Sequence, residues 1–234
     1  MITYLKNPIY KQEDQFNVRN YTYYILKAYA LSFIFIALSG FILLTIDPII
    51  TNIFNVPSIF QSFKKSNDSL SSLYGKYTFL IVAIVVPFIE ESIFRLPLNL
   101  KKWSIGISLS IMVFRFSGKG FFCVSFTEPY TYFRICLAML VFLSVKFLLK
   151  ESFLNLIQGK YFKIYFYAIT AVFSLVHISN ASDIHLKILP VYILYVLPQF
   201  VMGLSLGTVR MEKGFFAACI LHFLFNSVYF LFSK

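Results

Sequence analysis

The 234 residues are 59% hydrophobic and 20% aromatic but only 13% charged, with a mean hydropathy of +0.75. A soluble domain carries about 25% charged residues, and a compact soluble fold of this size cannot hide so much apolar surface, which excludes a soluble enzyme, a disordered tail and a fibrous protein. The excess of 21 Lys+Arg over 10 Asp+Glu, a formal charge of +11, reads as orientation of a membrane protein by positive loops rather than as nucleic-acid binding.

The first 22 residues are polar and mixed in charge (Lys6, Lys11, Glu13, Asp14, Arg19) and read as a solvated or interfacial arm. Ala28–Ile46 runs 19 residues without a charge, enough to cross roughly 30 Å of hydrocarbon, and Asp47-Pro48 is expected to end it. Residues 52–76 read as a polar connection. The next apolar run begins at Tyr77 and meets Glu90-Glu91 after 13 residues; continued through Arg95 to Leu100 it has 24 and crosses with its acids inside. Lys101-Lys102-Trp103 form an interfacial anchor.

Trp103–Phe116 is a short span, or a re-entrant one, and Tyr130–Leu149 a fuller one with Arg134 and Lys146 expected to snorkel to the two interfaces. Ile164–Ser182 holds one ionisable group, His177. Ile188–Val209 is charge-free with Pro190 and Pro198, and Gly214–Ser233 carries His222 and Asn226. The expected fold is all-α: one polytopic transmembrane helix bundle of about seven spans. No strand-length alternation of the β-barrel kind and no internal repeat accompany these runs. With the N-terminus inside, twelve Lys/Arg fall in inside segments and seven in outside ones, which favours a cytoplasmic N-terminus in a cell inner or plasma membrane. Cys123, Cys136 and Cys219 form no CxxC pair and read as apolar fillers.

Ionisable groups at membrane depth are costly and mark function. Here they are Glu90, Glu91, Arg95, His177 and His222, with Asn226 beside them. Glu91 and Arg95 are i,i+4 and share a helix face, whereas Glu90 points about 100° away and can meet a different partner. His222 and Asn226 repeat the i,i+4 spacing, as do Phe173 and His177. At 1.5 Å per residue from the inner end of each span, Glu90 lies roughly 16 Å deep, His177 roughly 21 Å, His222 roughly 12 Å and Asn226 roughly 18 Å. Three spans thus bring their polar groups to one layer. A carboxylate drawn into a low-dielectric pocket becomes a stronger base, and imidazoles and an amide can donate to a developing oxyanion. A water between Glu90 and a peptide carbonyl gives amide hydrolysis. The set Glu90, His177 and His222 could alternatively hold a divalent metal, although no short ligand spacing such as HExxH is present.

Glu90-Glu91-Ser-Ile-Phe-Arg95, Phe173-Ser-Leu-Val-His177 with Asn180, and His222-Phe-Leu-Phe-Asn226 resemble the motifs EExxxR, FxxxHxxN and HxxxN. These belong to the CAAX prenyl protease 2 and bacteriocin-processing (CPBP) intramembrane endopeptidases, and the resemblance covers roughly residues 75–230. It implies that Glu90 activates a water, Glu91 and Arg95 hold or tune it, His177 assists, and His222 with Asn226 form the oxyanion site. It further implies a peptide or lipidated-peptide substrate and neither cofactor nor metal. Two departures stand out: Leu96-Pro97 follows the motif Arg where the family often has Gly, and the 87 residues from Glu90 to His177 leave room for two extra spans.

Two rival patterns are weaker. Gly203-Leu-Ser205-Leu-Gly207 fits G-x-S-x-G, but inside a charge-free helix it reads as close helix packing, not a nucleophile elbow. Asp183 with His185 reads as interfacial. A non-proteolytic immunity or scaffold protein on the same fold, and a proton-coupled transporter, are the alternative functions; the second lacks paired broken helices and an inverted repeat.

Overall fold

The computed structural model describes residues 1–10, 18–118 and 125–232. Lys11, Glu13, Asp14, Lys119, Cys123 and Lys234 lie outside the described residues. Every regular element among the described residues is helical: α1 (Ile2–Lys6), α2 (Val18–Phe54), α3 (Ile59–Tyr74), α4 (Thr78–Leu80), α5 (Val86–Phe94), α6 (Lys102–Phe116), α7 (Pro129–Leu148), α8 (Glu151–Leu156), α9 (Phe162–Val176), α10 (Tyr192–Tyr195), α11 (Leu197–Lys213) and α12 (Phe215–Phe232). A π-helical turn, Ile81–Val85, joins α4 to α5, and another, Ile157–Tyr161, joins α8 to α9.

Each expected apolar segment is helical along most of its length. Among the described residues, three helices can cross a membrane by length and composition (Asn20–Phe54, Pro129–Leu148 and Glu151–Asn180), or four if Leu186–Tyr195 and Leu197–Lys213, bent by 45°, make one span. The others are shorter: α6 has 15 residues and the apolar helix Phe215–Leu231 falls below spanning length. The bend within the expected Ile188–Val209 run has a local cause. Pro198 has no N–H to donate to Leu194 O, the helix breaks at Val196, and the carbonyl of Val196 accepts both from Phe200 N at 3.0 Å and from Ser174 Oγ at 2.7 Å.

Three expectations need correction. Asp47-Pro48 does not end the first helix, which continues to Phe54 with Pro48 inside it. The Asp47 side chain does not stop the helix because it is committed elsewhere: buried, it accepts from Ser58 Oγ (2.6 Å), Ile59 N (3.1 Å) and Tyr195 OH (2.6 Å). Residues 52–76 are not a loop either. Asn55 takes a positive φ of 51°, the chain turns, and Ser58 caps the amphipathic helix α3 through Gln61 N. Within the N-terminal arm, residues 1–10 are docked rather than solvated: Tyr4 is buried and stacks edge-on against Phe166, Tyr167 donates to Leu5 O, and Tyr10 OH donates to Asn99 O.

The core has three parts. Its centre (Ile25, Ile93, Phe94, Phe173, Leu206, Val209, Leu221) lies where α2, α5, α9, α11 and α12 meet. A second cluster (Leu98, Phe162, Phe166, Met211) fills one end, and a third (Leu43, Ile59, Tyr192, Tyr195) the other. The apolar side chains of α7 are exposed at Phe133, Met139, Leu140, Leu143 and Phe147, as a lipid-facing helix requires. The two extra helices between Glu90 and His177 are α6 and α7; they pair with each other, and α6 also packs on α5. Arg134 does not snorkel. It is buried, donates from Nε (3.2 Å) and Nη2 (2.5 Å) to Phe114 O, and lies over the Phe114 ring.

Candidate active site

α5 presents Glu90 and Glu91 on different faces, as consecutive helical positions must. Glu91 is fully buried, and its Oε1 accepts from His222 Nδ1 at 2.9 Å. Its Oε2 stands 3.7 Å from Arg95 Nε, an ion pair one turn along the same helix. Glu90, whose side chain keeps 24% of its exposure, faces the other way: Oε2 lies 3.5 Å from His222 Nε2 and 3.9 Å from His177 Nε2.

The ring roles follow from the partners. The Phe173 carbonyl can only accept, so His177 donates to it from Nδ1 at 2.7 Å. The Glu91 carboxylate holds His222 in the same sense. Both imidazoles therefore have Nδ1–H committed to protein acceptors and turn Nε2 toward Glu90. Their rings are wedged by Phe173, which lies edge-on to both at centroid distances of 4.7 and 6.1 Å.

Arg95 ends α5 and is buried along its whole length. Its guanidinium carbon sits 4.1 Å from the Phe173 ring centroid, and Nη2 donates to Gly203 O at 3.4 Å. That approach depends on glycine: a Cβ at position 203 would come within 2.9 Å of Phe173 Cδ1 and 3.4 Å of Arg95 Nη2. Gly207, one turn on, meets the Phe166 ring in the same way. The G-x-S-x-G pattern is thus a packing seam of α11 against α9, and its Ser205 is buried beside Met1 Sδ.

Asn226 Nδ2 donates to Val82 O at 2.9 Å. Val82 lies in the π-helical turn that precedes α5. Such a turn displaces the regular ladder, and Asn226 takes up one of its carbonyls. Asn180 is exposed in the 3-10 turn His177–Asn180, and no hydrogen bond links it to these groups. Asp183 and His185 belong to a surface cluster: Lys65 Nζ, Ser182 Oγ and Asp183 Oδ2 meet there, and Tyr192 OH accepts from His185 N. Hydrogen bonds from Ser182 and Lys65 hold the Asp183 carboxyl below its ordinary pKa. Glu90, His177 and His222, the alternative metal set, are neighbours, yet among the described residues no group of three His, Cys, Asp and Glu side chains is arranged to hold a metal ion.

A family model described as type II CAAX prenyl endopeptidase Rce1-like matches residues 73–228. The chain belongs to that family. No curated protein and no solved structure gives a significant match. Membership makes the chain a membrane peptidase of the CAAX prenyl endopeptidase kind at family level, and the matched stretch contains Glu90, Glu91, Arg95, His177, His222 and Asn226.

One contributor in this endopeptidase chain is absent from the motifs. Arg210, counted among the loop charges, is buried and donates from Nε to Arg95 O at 3.1 Å, supporting the turn where α5 ends. Arg95 and Arg210 thus fall out of the orientation count, which becomes ten inside against seven outside. The signal for Arg210 was its place on α11, one turn after Gly207 and so on the seam that faces α9 and α5. The Leu96-Pro97 departure is accommodated by a 3-10 turn, Leu96–Asn99, closed by Leu100 with φ of 53°.

Proposed function

We propose that this chain is an intramembrane endopeptidase in which Glu90 activates the water that attacks a peptide carbonyl. The observation that carries the reading is the convergence of two Nε2 atoms on Glu90 Oε2, with every Nδ1 already committed. A water held there is in reach of a base and of two imidazole nitrogens. Glu90 takes its proton as the hydroxyl adds to the carbonyl carbon and returns it to the leaving amine. With Nδ1–H committed, the Nε2 lone pairs of His222, anchored by Glu91, and of His177, anchored by the Phe173 carbonyl, accept from the water and aim it at the carbonyl carbon. Glu91 and Arg95 act through His222 by fixing its ring, and Asn226 joins the α12 side of the site. The substrate class is a C-terminal CAAX-like peptide, lipidated or not, or a membrane-associated precursor. The reaction draws on no cofactor, and the N-terminus faces the cytoplasm across a plasma membrane.

The test is hydrolysis of a fluorogenic peptide and of a lipidated CAAX-type peptide by the purified full chain. Glu90→Ala is expected to lower turnover by at least about 100-fold, the scale of a lost general base. Equal hydrolysis by both proteins overturns the assignment of Glu90. Loss of wild-type activity on chelation overturns the metal-free reaction.

A further inference from the structure

At one end of the bundle, where α6, α7 and α8 meet, Lys101, Lys102, Trp103, Phe142, Lys146 and Glu151 line a cavity of about 510 Å³. None of them takes part in the Glu90 site. The inner wall is apolar: Phe142, one turn deeper in α7 than Lys146, lies against Gly106 of α6, where a Cβ would come within 2.9 Å of its ring. The outer wall is cationic. Lys101 and Lys146 are exposed, and Lys102 Nζ reaches Glu151 Oε1 at 3.3 Å. Three ammonium groups against one carboxylate leave a net charge of two on the cavity. The first turn of α6 adds to this field, because its N-cap residue Lys101 makes no side-chain cap and the leading N–H groups have no acceptor inside the helix.

The cavity sits at a membrane boundary. α7 is long and apolar enough to cross a bilayer and ends at Leu148, with Lys146 in its last turn. Trp103, half-exposed, lies at the same level, where its ring prefers the headgroup region. A free soluble anion uses the cationic wall but gains nothing from Phe142 and Trp103. A glycerophospholipid uses both, with phosphate at the lysines and glycerol and acyl origins along the rings. We propose that this cavity binds the headgroup of an anionic glycerophospholipid, with Lys101 and Lys146 on the phosphate and Glu151 orienting Lys102. With the N-terminus inside, the lipid belongs to the inner leaflet, where anionic headgroups attract basic side chains.

Native mass spectrometry of the detergent-purified full chain tests this, with phosphatidylglycerol, phosphatidylcholine and inorganic phosphate as separate probes. Saturable binding of one phosphatidylglycerol, and no comparable phosphatidylcholine adduct, is expected. The double variant Lys101→Ala/Lys146→Ala is expected to weaken it by about 30-fold, from about 1 kcal/mol per basic side chain. Lys101→Arg/Lys146→Arg should retain it, as should the charge-matched control Lys64→Ala/Lys187→Ala at the opposite end. Unchanged binding in the alanine pair, equal loss in the control, or displacement of the lipid by inorganic phosphate overturns the proposal. A melting temperature matching that of the wild type shows that the alanine pair is folded.

Discussion

Removing Glu91 alone should damage this protein more than removing Glu91 and Arg95 together. Both side chains are at most 1% exposed and stand 3.7 Å apart, and Glu91 also receives His222 Nδ1 at 2.9 Å. At an effective dielectric near 20, two unit charges at that separation attract by about 4 kcal/mol. Deleting one partner forfeits this attraction and leaves the other charge buried, a loss of about 3–5 kcal/mol. Glu91→Leu is therefore expected to destabilise by that amount, and Arg95→Met similarly. In the double variant neither charge remains. What is left is the unpaired His222 Nδ1, at about 1–3 kcal/mol, because the Gly203 carbonyl stays within the helical ladder of α11. Denaturant titration of the four proteins in detergent, read by intrinsic fluorescence, measures the cycle, with Glu90→Gln as a control expected to stay within about 1 kcal/mol of wild type because Glu90 is partly exposed. Single-variant losses that simply add in the double variant would refute the pairing. Activity should follow a different order: if the two residues work by holding His222, the double variant regains stability and stays inactive.

Two further predictions concern the frame of the site. Gly203→Ala forces a methyl into the Phe173 ring and the Arg95 guanidinium, and should cost about 1–3 kcal/mol with reduced activity, while Gly40→Ala, which meets nothing within 4 Å, should leave both near wild type; paired melting and hydrolysis measurements check this, and equal effects at the two positions contradict the packing argument. Asn226→Ala strands the Val82 carbonyl at a part-buried turn and should cost about 1 kcal/mol, visible as faster amide hydrogen exchange across residues 81–86; an unchanged exchange rate there means that Asn226 does not support the π-helical turn.

Much of the candidate site was legible because it obeys helical spacing. The 3.6-residue period separates Glu90 from Glu91 and aligns Glu91 with Arg95 without reference to any other part of the chain. The contribution of Arg210 was not legible. A charge in a hydrophilic stretch near Lys213 looks like a loop charge until α11 is seen to run on through Arg210 to Lys213 with Arg210 buried against the turn that ends α5. Arg134 misled for the same reason: position along a span suggests snorkelling, but the Phe114 carbonyl and ring offer a closer partner than water. Asp47-Pro48 is the converse. Read locally the pair stops a helix, and only the three donors from Ser58, Ile59 and Tyr195 explain why the helix goes on.

What the sequence determined by itself was the class of molecule and the chemistry it carries. Apolar excess forces a bilayer solvent, that solvent without strand alternation forces helices, and ionisable side chains survive in it only with partners, so Glu90, Glu91, Arg95 and the two histidines stand out from spacing and composition alone. What only the tertiary structure decided was which partner each one takes. Glu91 rather than Glu90 receives the His222 Nδ1, Asn226 turns to the Val82 carbonyl, and Asn180 stays on the surface. Spacing along one helix sets direction to within a face, but contact between helices depends on rotation and on how closely the backbones approach. Here Gly203 and Gly207 set that approach by letting α11 close on α9.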